Sequence, residues 1–420
     1  MKKLFAFYEQ KKIGALTQDD NDVYAFEYES SWTTDAEAFP ISLSMPLDQN
    51  SFGNKISLSF FENLLPEGDV RKNLEKSHRI HGTFEFLARF GEDCAGAIIL
   101  TKNDKAPPQS STNQLVPLEM DKIYEAIEEK MPVADVIAEM NPGYLSLAGA
   151  QDKFPAVLKD QKFYLPKQGT PTTHIVKVPI QRMGIKDSVF NEYFCMELAR
   201  EVEFEVPACQ IVDGKHPLYI VDRYDRYLDK NGTVRRLHQQ DLCQAQGYSS
   251  DNKYEINGGP SIKQNYDFLF QHLNIQNRLS DIESYLSWIC FNLIIGNNDS
   301  HSKNLSILLT KDRKYRLAPL YDLVSTVIYP KLEKQFSFKI GDRNDFSTIG
   351  KNQIERLERS LEIKPGTFMQ ILRLVSEKVI QKKSLVAQRI LTQFPAAKIV
   401  LRINDLLDDR IKSLRFQQAI

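Results

Sequence analysis

The sequence predicts an α+β protein with two lobes and a cleft between them, preceded by a β-rich N-terminal domain. Short apolar runs of strand character dominate residues 1–100 and recur up to about residue 225, whereas helical periodicity dominates after about residue 260. Strands first and helices afterwards are typical of α+β folds. The length of 420 residues exceeds what one ordinary core accommodates, which predicts more than one domain.

We expect three regions along the chain. Residues 1–140 form the β-rich N-terminal domain, and a polar, proline-containing linker lies near 102–116. Residues 141–225 form the strand-rich lobe, and residues 226–420 form an all-helical lobe. Internal repeats are not evident in the sequence.

Composition excludes several classes of protein. A hydrophobic content of 42% and a charged content of 26% are typical of a globular chain and argue against disorder. A formal net charge of −1 gives no global indication of nucleic-acid binding. The five cysteines are scattered, as expected for reduced thiols. The sequence has neither a signal-peptide pattern nor an apolar run of membrane-spanning length, so we expect a cytoplasmic protein with no membrane partner.

In the N-terminal domain the local patterns predict alternating strands and helices. Residues 41–45 alternate at period two and predict a half-buried strand. Residues 60–65 predict a short helix that ends at Pro66. Residues 120–140 have helical periodicity and predict one helix.

A lysine inside an apolar strand is the first candidate functional residue. Lys177 lies in the predicted strand 174–178, and Glu192 lies on the helix that follows. A buried ammonium group needs an anion, and the phosphates of ATP are one such anion, with Glu192 as a second partner. The alternative is an outward-pointing lysine on an edge strand.

A small-residue loop precedes this strand. Residues 146–153 contain Gly149 between two predicted strands, and backbone N–H groups of such a loop can approach phosphate oxygens. A single glycine fits neither of the common phosphate-binding fingerprints. From the residues alone, an ordinary turn is the favoured interpretation.

The spacing of Asp299, Asn304 and Asp322 indicates phosphoryl transfer. An aspartate can accept the proton of an attacking hydroxyl, and an asparagine five residues later can bind Mg²⁺ beside the nucleotide phosphates. A predicted hairpin over 305–317 would return Asp322 to the side of Asn304, so that both bind one metal ion. The alternative is that Asp299 merely belongs to a capped loop after an apolar helix.

Two further segments are weaker candidates. Asp222, Arg223 and Tyr224 follow a buried strand, where a kinase hinge would offer backbone groups to adenine, but a plain strand-end loop has the same pattern. His301 could orient the catalytic segment or hydrogen-bond locally.

Together these motifs resemble the HipA family of toxin–antitoxin serine/threonine kinases. The likeness extends along the whole chain, over residues 40–47, 61–66, 147–153, 172–177, 221–226, 296–304 and 320–322. The resemblance implies a two-lobed protein-kinase-like fold with an appended N-terminal domain. Asp152 and Asp222 stand where the family often has glutamate, and Phe154-Pro155 follows the loop where a smaller polar residue is common.

The resemblance also implies roles for individual residues. Asp299 would be the catalytic base, Asn304 and Asp322 the Mg²⁺ ligands, and Ser146 an autophosphorylation site whose phosphate repels nucleotide. The implied ATP-binding residues are Ala148, Gly149, Ala150, Gln151, Asp152, Lys153, Lys177, Asp222, Arg223, Tyr224, His301, Asn304, Tyr321 and Asp322.

The family further implies partners. Its members pair with a helix-turn-helix antitoxin (HipB-like) that binds operator DNA. In the best-known relative the phosphorylated protein is glutamyl-tRNA synthetase, an aminoacyl-tRNA synthetase, and the result is growth arrest and persistence.

Two alternatives remain open from the sequence. A small-molecule phosphotransferase would share the aspartate and asparagine but would leave the N-terminal domain and Ser146 without a role. A DNA-binding co-repressor of an antitoxin would use the basic segment 351–420, which has 14 Lys and Arg against 7 Asp and Glu, a net charge of +7. That basicity is equally expected of a solvated helical face.

Overall fold

The computed structural model describes residues 1–107, 115–140, 148–149, 151–166 and 170–420. The chain divides into two compact units, each assembled from three separate stretches. The first unit comprises Met1–Val178, Asp213–Ser250 and Ile307–Arg313, and the second comprises Pro179–Val212, Asp251–Ser306 and Lys314–Ile420. The contiguous three-part division expected from the sequence stays a prediction.

Strands and helices alternate through most of the chain. The described strands are β1 (Lys2–Tyr8), β2 (Lys11–Gln18), β3 (Tyr24–Tyr28), β4 (Ser51–Phe52), β5 (Ile98–Thr101), β6 (Leu115–Pro117), β7 (Lys153–Lys159), β8 (Lys162–Pro166), β9 (His174–Lys177), β10 (Cys209–Val212), β11 (Leu218–Asp222), β12 (Arg226–Leu228), β13 (Val234–Arg236), β14 (Gln239–Asp241), β15 (Ser306–Leu309) and β16 (Tyr315–Leu317). The described α-helices are α1 (Ser30–Thr33), α2 (Asn54–Phe61), α3 (Gly68–His78), α4 (Gly82–Phe90), α5 (Met120–Glu128), α6 (Val133–Met140), α7 (Ser188–Glu201), α8 (Leu242–Gln246), α9 (Ile262–His272), α10 (Arg278–Ile295), α11 (Lys351–Ser360), α12 (Thr367–Gln393) and α13 (Ile399–Phe416).

The two largest sheets of the described part of the first unit are antiparallel. The N-terminal sheet has the order β4-β3-β2-β1-β5, and apolar side chains such as Leu4, Phe26 and Phe61 are fully buried in its core. The second sheet has, within this unit, the order β11-β9-β7-β8-β6. Strand β9 is therefore an interior strand, hydrogen-bonded on one side to β11 and on the other to β7.

The second unit is built mainly from helices. α12 packs against α7, α10 and α13, and α10 packs against α9 as well. The last turns of α10, from Ile289 to Ile295, are buried on every side, so this helix forms the centre of the unit. Among the described residues, none of the helices combines the length and apolar content needed to cross a membrane.

The predicted α+β class is confirmed, and two local differences have clear causes. The segment 41–45 is a turn, not a strand: the Met45 N–H donates to the Ser42 carbonyl, and Ser42 Oγ donates to the Gln244 carbonyl. The helix predicted over 120–140 is two helices, because Pro132 lacks the N–H and the conformational freedom that a continuous helix needs.

The region after residue 226 is predominantly helical, but the prediction that it is all-helical is wrong, because it also contains the short strands β12–β16. The hairpin β12–β13 shows why periodicity misses them, since each strand has only three residues. Its turn is held by Asp229, whose Oδ1 accepts hydrogen bonds from the N–H groups of Asn231 and Thr233, both at 2.9 Å.

Candidate active site

The loop that follows α10 carries the candidate catalytic aspartate. α10 ends at Gly296, whose φ of +67° lies in the left-handed region. A Cβ at this position would lie 2.3 Å from Cγ2 of Val327. Glycine meets both constraints, because any other residue would be strained at this φ and would collide with the valine. The sharp turn directs the chain from the buried end of α10 into the loop 297–304.

Asp299 is the exposed residue of an otherwise buried loop. Asn297 Nδ2 donates to Asn292 Oδ1 at 2.8 Å, and Asn298 Nδ2 donates to the Glu333 carbonyl at 3.0 Å. The Asp299 side chain is 56% exposed, while every other residue of the loop is at most 7% exposed. Buried amides therefore fix a loop that presents one carboxylate to solvent.

Asn304 lies directly against Asp299. Its Nδ2 donates to the Asp299 carbonyl at 2.9 Å, and its N–H donates to the His301 carbonyl at 2.9 Å. Asp299 Oδ1 accepts a hydrogen bond from the Tyr254 hydroxyl and lies 3.9 Å from Nε2 of His301. Since Nδ2 is engaged, Oδ1 is the atom with which the Asn304 amide could bind a cation.

The segment after β16 returns to this loop. The Ala318 N–H donates to the Ser306 carbonyl at 2.9 Å. The Tyr321 hydroxyl donates to the Lys303 carbonyl at 2.8 Å and is 2.8 Å from Ser306 Oγ. The structure therefore brings Asp322 back to the Asp299 loop, as the predicted hairpin requires.

Asp322 has an unusual backbone conformation that is held from two sides. Its φ is +59°, a left-handed value that aspartate tolerates better than most residues. Its carbonyl accepts a hydrogen bond from Asn297 Nδ2 at 3.3 Å. Three residues later, the Ser325 N–H donates to Asn191 Oδ1, and Asn191 Nδ2 donates back to the Ser325 carbonyl, both at 2.9 Å. The buried amide of Asn191 thus fixes the segment that carries Asp322.

In the first unit, Lys177 occupies an interior position of the second sheet. It pairs in register with Tyr219 of β11 and with Lys153 of β7, which excludes the edge-strand alternative. The Lys177 side chain is buried, with Nζ 5.9 Å from the centre of the Tyr219 ring. Directly opposite residues point to the same face of a sheet, so the side chains of Lys177 and Lys153 leave the same face. Two cationic side chains on one face suit a polyanion such as a nucleotide phosphate chain.

The candidate phosphate loop is described only in part. Ser146, Leu147 and Ala150 lie outside the described residues. Gly149 has a φ of +108° and its carbonyl accepts a hydrogen bond from the Glu67 N–H at 3.0 Å, while Ala148 precedes it without regular structure.

Two residues that follow Gly149 anchor the end of this loop. Gln151 Nε2 donates to the Val178 carbonyl at 3.3 Å. Asp152 accepts hydrogen bonds from the N–H groups of Val133 and Ala134 at the start of α6, at 2.7 and 3.2 Å. Burial raises the pKa of Asp152 to about 6, and these two N–H donors limit the rise.

The three hinge candidates have different environments. Asp222 is exposed and its Oδ1 lies 3.2 Å from His174 Nε2. Arg223 is buried in an ion network, its N–H donates to the Thr173 carbonyl, and its carbonyl accepts from the Arg226 N–H. The Tyr224 hydroxyl donates to the side-chain carbonyl of Gln239. Arg223 therefore has a structural role, and its nucleotide-binding role stays a prediction that this geometry does not favour.

The remaining candidate, Glu192, lies on α7 in the second unit and is buried. Its pairing with Lys177 of the first unit stays a prediction.

Sequence reasoning missed Tyr254, Asn191 and Asn297, which contact or fix the candidate residues. Asn297 lies two residues before Asp299, so its position next to the catalytic segment could have been noticed. No local pattern marks Tyr254 or Asn191.

The donor set at Asp299, Asn304 and Asp322 suits a hard cation. Among the described residues, no group of three or more His, Cys, Asp and Glu side chains is arranged to enclose a metal ion. One amide oxygen and one carboxylate fit Mg²⁺, which usually takes few protein ligands and completes its shell with phosphate oxygens and water.

Several basic side chains of the segment 351–420 form ion pairs and hydrogen bonds within the second unit. Lys383 Nζ lies 2.9 Å from Asp408 Oδ2, and Arg410 donates to the Leu293 carbonyl at 2.6 Å. Arg389 pairs with Glu197 and Glu201 of α7 at 2.8 and 2.7 Å. These contacts favour the interpretation of the segment as a packed helical region over a DNA-binding face.

Comparison with known proteins identifies relatives over nearly the whole chain. The family description "HipA N-terminal domain" matches residues 4–101, and "HipA-like C-terminal domain" matches residues 145–383. The serine/threonine-protein kinase toxin HipA of Shewanella oneidensis is 30% identical over 410 residues, 94% of this chain and 89% of its own. The Sinorhizobium fredii protein Y4mE is 36% identical over 348 residues, 81% of each chain.

A solved structure is similar over the same extent. A chain of the Shewanella oneidensis complex of HipA, HipB and operator DNA matches with a TM-score of 0.81 and 27% identity, covering 99% of both chains. This full-length similarity confirms the predicted kinase-like fold with its appended N-terminal domain.

Proposed function

Since this chain belongs to the HipA family of serine/threonine-protein kinases, we propose that it is the toxin of a toxin–antitoxin module that phosphorylates a protein hydroxyl with Asp299 as the base. One observation carries the proposal. In the second unit, Asn304 and Asp322 are hydrogen-bonded to the same buried loop that exposes only Asp299. A loop without a catalytic role would not need several buried amides to keep a single aspartate exposed to solvent.

In the proposed mechanism each side chain has a separate role. Asp299 accepts the proton of the serine or threonine hydroxyl as its oxygen bonds to the γ-phosphorus of ATP and the bond to ADP breaks. Asn304 Oδ1 and the Asp322 carboxylate would hold Mg²⁺, which neutralises charge on the phosphates. Lys177 and Lys153 supply positive charge on one face of their sheet for the phosphate chain.

The loop 146–153 is proposed to cover the nucleotide, with Ser146 as an autophosphorylation site. Gly149 supports this role, because its φ of +108° favours a residue without a side chain. A phosphate on Ser146 would add about −1.5 to −2 charges to this loop and would oppose nucleotide binding.

The proposed partners follow from the relatives. A HipB-like helix-turn-helix antitoxin, and operator DNA through that antitoxin, are expected because the structural neighbour is a complex with both. An aminoacyl-tRNA synthetase, with glutamyl-tRNA synthetase as the first candidate, is the proposed protein substrate. The internal pairing of Lys383, Arg389 and Arg410 argues against direct DNA binding by the C-terminal helices.

Intact-mass spectrometry tests the proposed activity. The protein is dephosphorylated, incubated with Mg·ATP and compared with Asp299→Asn, which keeps the shape of the side chain but removes the base. The matched control is Asp267→Asn, an exposed aspartate of the same unit that forms an ion pair with Lys263. We expect one added phosphate in the wild type and in Asp267→Asn, none in Asp299→Asn, and loss of the phosphate in Ser146→Ala.

Purified glutamyl-tRNA synthetase tests the substrate. Transfer to the synthetase by wild type and not by Asp299→Asn supports the proposal. Autophosphorylation without transfer to the synthetase would reject this substrate and retain the kinase. Equal phosphate gain in Asp299→Asn would reject Asp299 as the base.

A further inference from the structure

Tyr254 contacts the proposed base directly. Its hydroxyl donates a hydrogen bond to Asp299 Oδ1. The edge of one ring meets the face of the other between Tyr254 and His301, with centroids 4.9 Å apart and an interplanar angle of 86°. His301 is buried and belongs to the same loop as Asp299. The phenol is therefore oriented by the loop and in turn holds one oxygen of its carboxylate.

The backbone around Tyr254 is built to keep the ring in this place. The Tyr254 carbonyl accepts hydrogen bonds from the N–H groups of Asn257 and Gly259, at 3.0 and 2.9 Å. A Cβ on Gly259 would lie 2.2 Å from the Asn252 carbonyl oxygen and 2.8 Å from that of Tyr254. The turn closes this tightly only with glycine at 259.

The same segment is attached to two neighbouring parts of the second unit. The Ser302 N–H donates to the Lys253 carbonyl at 3.4 Å, which joins the segment to the Asp299 loop. On the other side, Glu255 Oε2 accepts a hydrogen bond from the Lys339 N–H at 2.8 Å. Tyr254 lies between these two hydrogen-bonded residues, so the backbone that positions its hydroxyl against Asp299 is held on both sides.

We propose that Tyr254 is a positioning residue for phosphoryl transfer, acting through Asp299. A phenol O–H donated to a carboxylate restrains its rotation. With Oδ1 held by Tyr254, the carboxylate of Asp299 keeps one orientation toward the attacking hydroxyl. This inference rests on the proposed role of Asp299 as the base.

The test is the separation of kcat from KM for phosphate transfer in Tyr254→Phe. The probes are Mg·ATP with the protein itself as acceptor, and Mg·ATP with dephosphorylated casein. We expect kcat to fall about tenfold or more, because the lost hydrogen bond is made to a charged group. The KM for ATP should be unchanged, because Tyr254 contacts the base and not the nucleotide site.

Tyr266→Phe is the matched control, because Tyr266 lies in the same unit and its ring stacks on Phe270. It should leave both kcat and KM unchanged. An unchanged kcat in a folded Tyr254→Phe protein would overturn the positioning role, even if its melting temperature fell. A rise in kcat would also overturn it, because the tyrosine would then be blocking the base. Activity in Asp299→Asn would instead reject Asp299 as the base, on which this inference rests.

Discussion

Asp93 and Arg223 are 130 residues apart in sequence, and Arg223 Nη1 donates to Asp93 Oδ2 at 3.0 Å in the interior of the first unit. Both side chains are at most 2% exposed. Arg226 and Arg236 donate to the other oxygen of Asp93, at 3.0 and 3.2 Å. Burial alone would raise the pKa of Asp93, but the three guanidinium groups outweigh it and hold the pKa well below its usual range. The turn before β5 is thereby fixed to the segment after β11.

Asp93→Asn should strongly destabilise the first unit. The change leaves the buried guanidinium groups of Arg223 and Arg226, and the half-buried one of Arg236, facing a neutral amide. Breaking a buried ion pair in this way costs about 3–5 kcal/mol. The measurement is the midpoint of the first thermal transition. Asp104→Asn is the control, since Asp104 pairs with Lys12 at an exposed site and its loss should cost less than 1 kcal/mol. Equal effects of the two changes would show that the Asp93 network contributes little.

Two titratable groups of the first unit should change the free energy of unfolding with pH in opposite directions. Burial raises the pKa of Asp152 to about 6, so between about pH 4 and 6 the folded chain binds a proton that the unfolded chain releases. Its contribution to stability therefore falls as pH rises. Burial lowers the pKa of His238 to about 4, so between about pH 4 and 6.5 the unfolded chain binds the extra proton. Its contribution rises with pH.

Asp152→Asn should therefore make the melting temperature rise more steeply between pH 4.5 and 6 than in the wild type. The single carbonyl oxygen of asparagine can keep the shorter of the two hydrogen bonds, from the Val133 N–H, while its NH2 group cannot accept the other. The difference in slope should be about 1 kcal/mol per pH unit. His238→Gln should change the slope in the opposite direction. Parallel melting curves for all three proteins would show that neither group titrates in this window.

The sequence predicted the parts of the site that depend on local spacing. The Asp299–Asn304 separation and the return of Asp322 follow from one loop and one hairpin, whose residues are consecutive. Lys177 was predicted to bind an anion, because a charged residue inside an apolar strand needs a partner of opposite charge.

Contacts between residues distant in sequence could not be predicted. Tyr254 reaches Asp299 across 45 residues and Asn191 reaches Ser325 across 134, and neither residue type signals such a contact locally. The error at 41–45 has the same origin. Its serines alternate at period two, but they bond to the Gln240 side chain and the Gln244 carbonyl, about 200 residues away in sequence.

Gly296→Ala should disrupt the Asp299 loop by two effects. A left-handed φ costs a non-glycine residue about 1–2 kcal/mol, and the new Cβ would overlap Val327. We expect the free energy of unfolding of the second unit to fall by about 2–4 kcal/mol and kcat to fall more than ATP affinity. Gly366→Ala is the matched control, because its φ is +87° and nothing lies within 4 Å of its Cβ position.

The double variant Gly296→Ala/Val327→Ala separates the two effects. Removing the valine methyl groups relieves the overlap but not the backbone strain, so about half of the lost stability should return. Denaturant unfolding and Mg·ATP-dependent phosphate gain provide the two readouts. A double variant no better than the single one would show that the φ angle alone requires glycine here.

Asp322→Asn isolates the charge of the proposed metal ligand. Asparagine tolerates the left-handed φ of +59° as well as aspartate does, so the backbone should be unchanged. The lost carboxylate should raise the Mg²⁺ concentration needed for half-maximal phosphate transfer by about tenfold or more, because Mg²⁺ prefers an anionic oxygen. Thermal shift with ATP, measured with and without Mg²⁺, provides a readout apart from activity. The Mg²⁺-dependent part of the shift should disappear in Asp322→Asn and persist in Asp267→Asn. An unchanged Mg²⁺ requirement would mean that Asp322 fixes the loop without binding the metal.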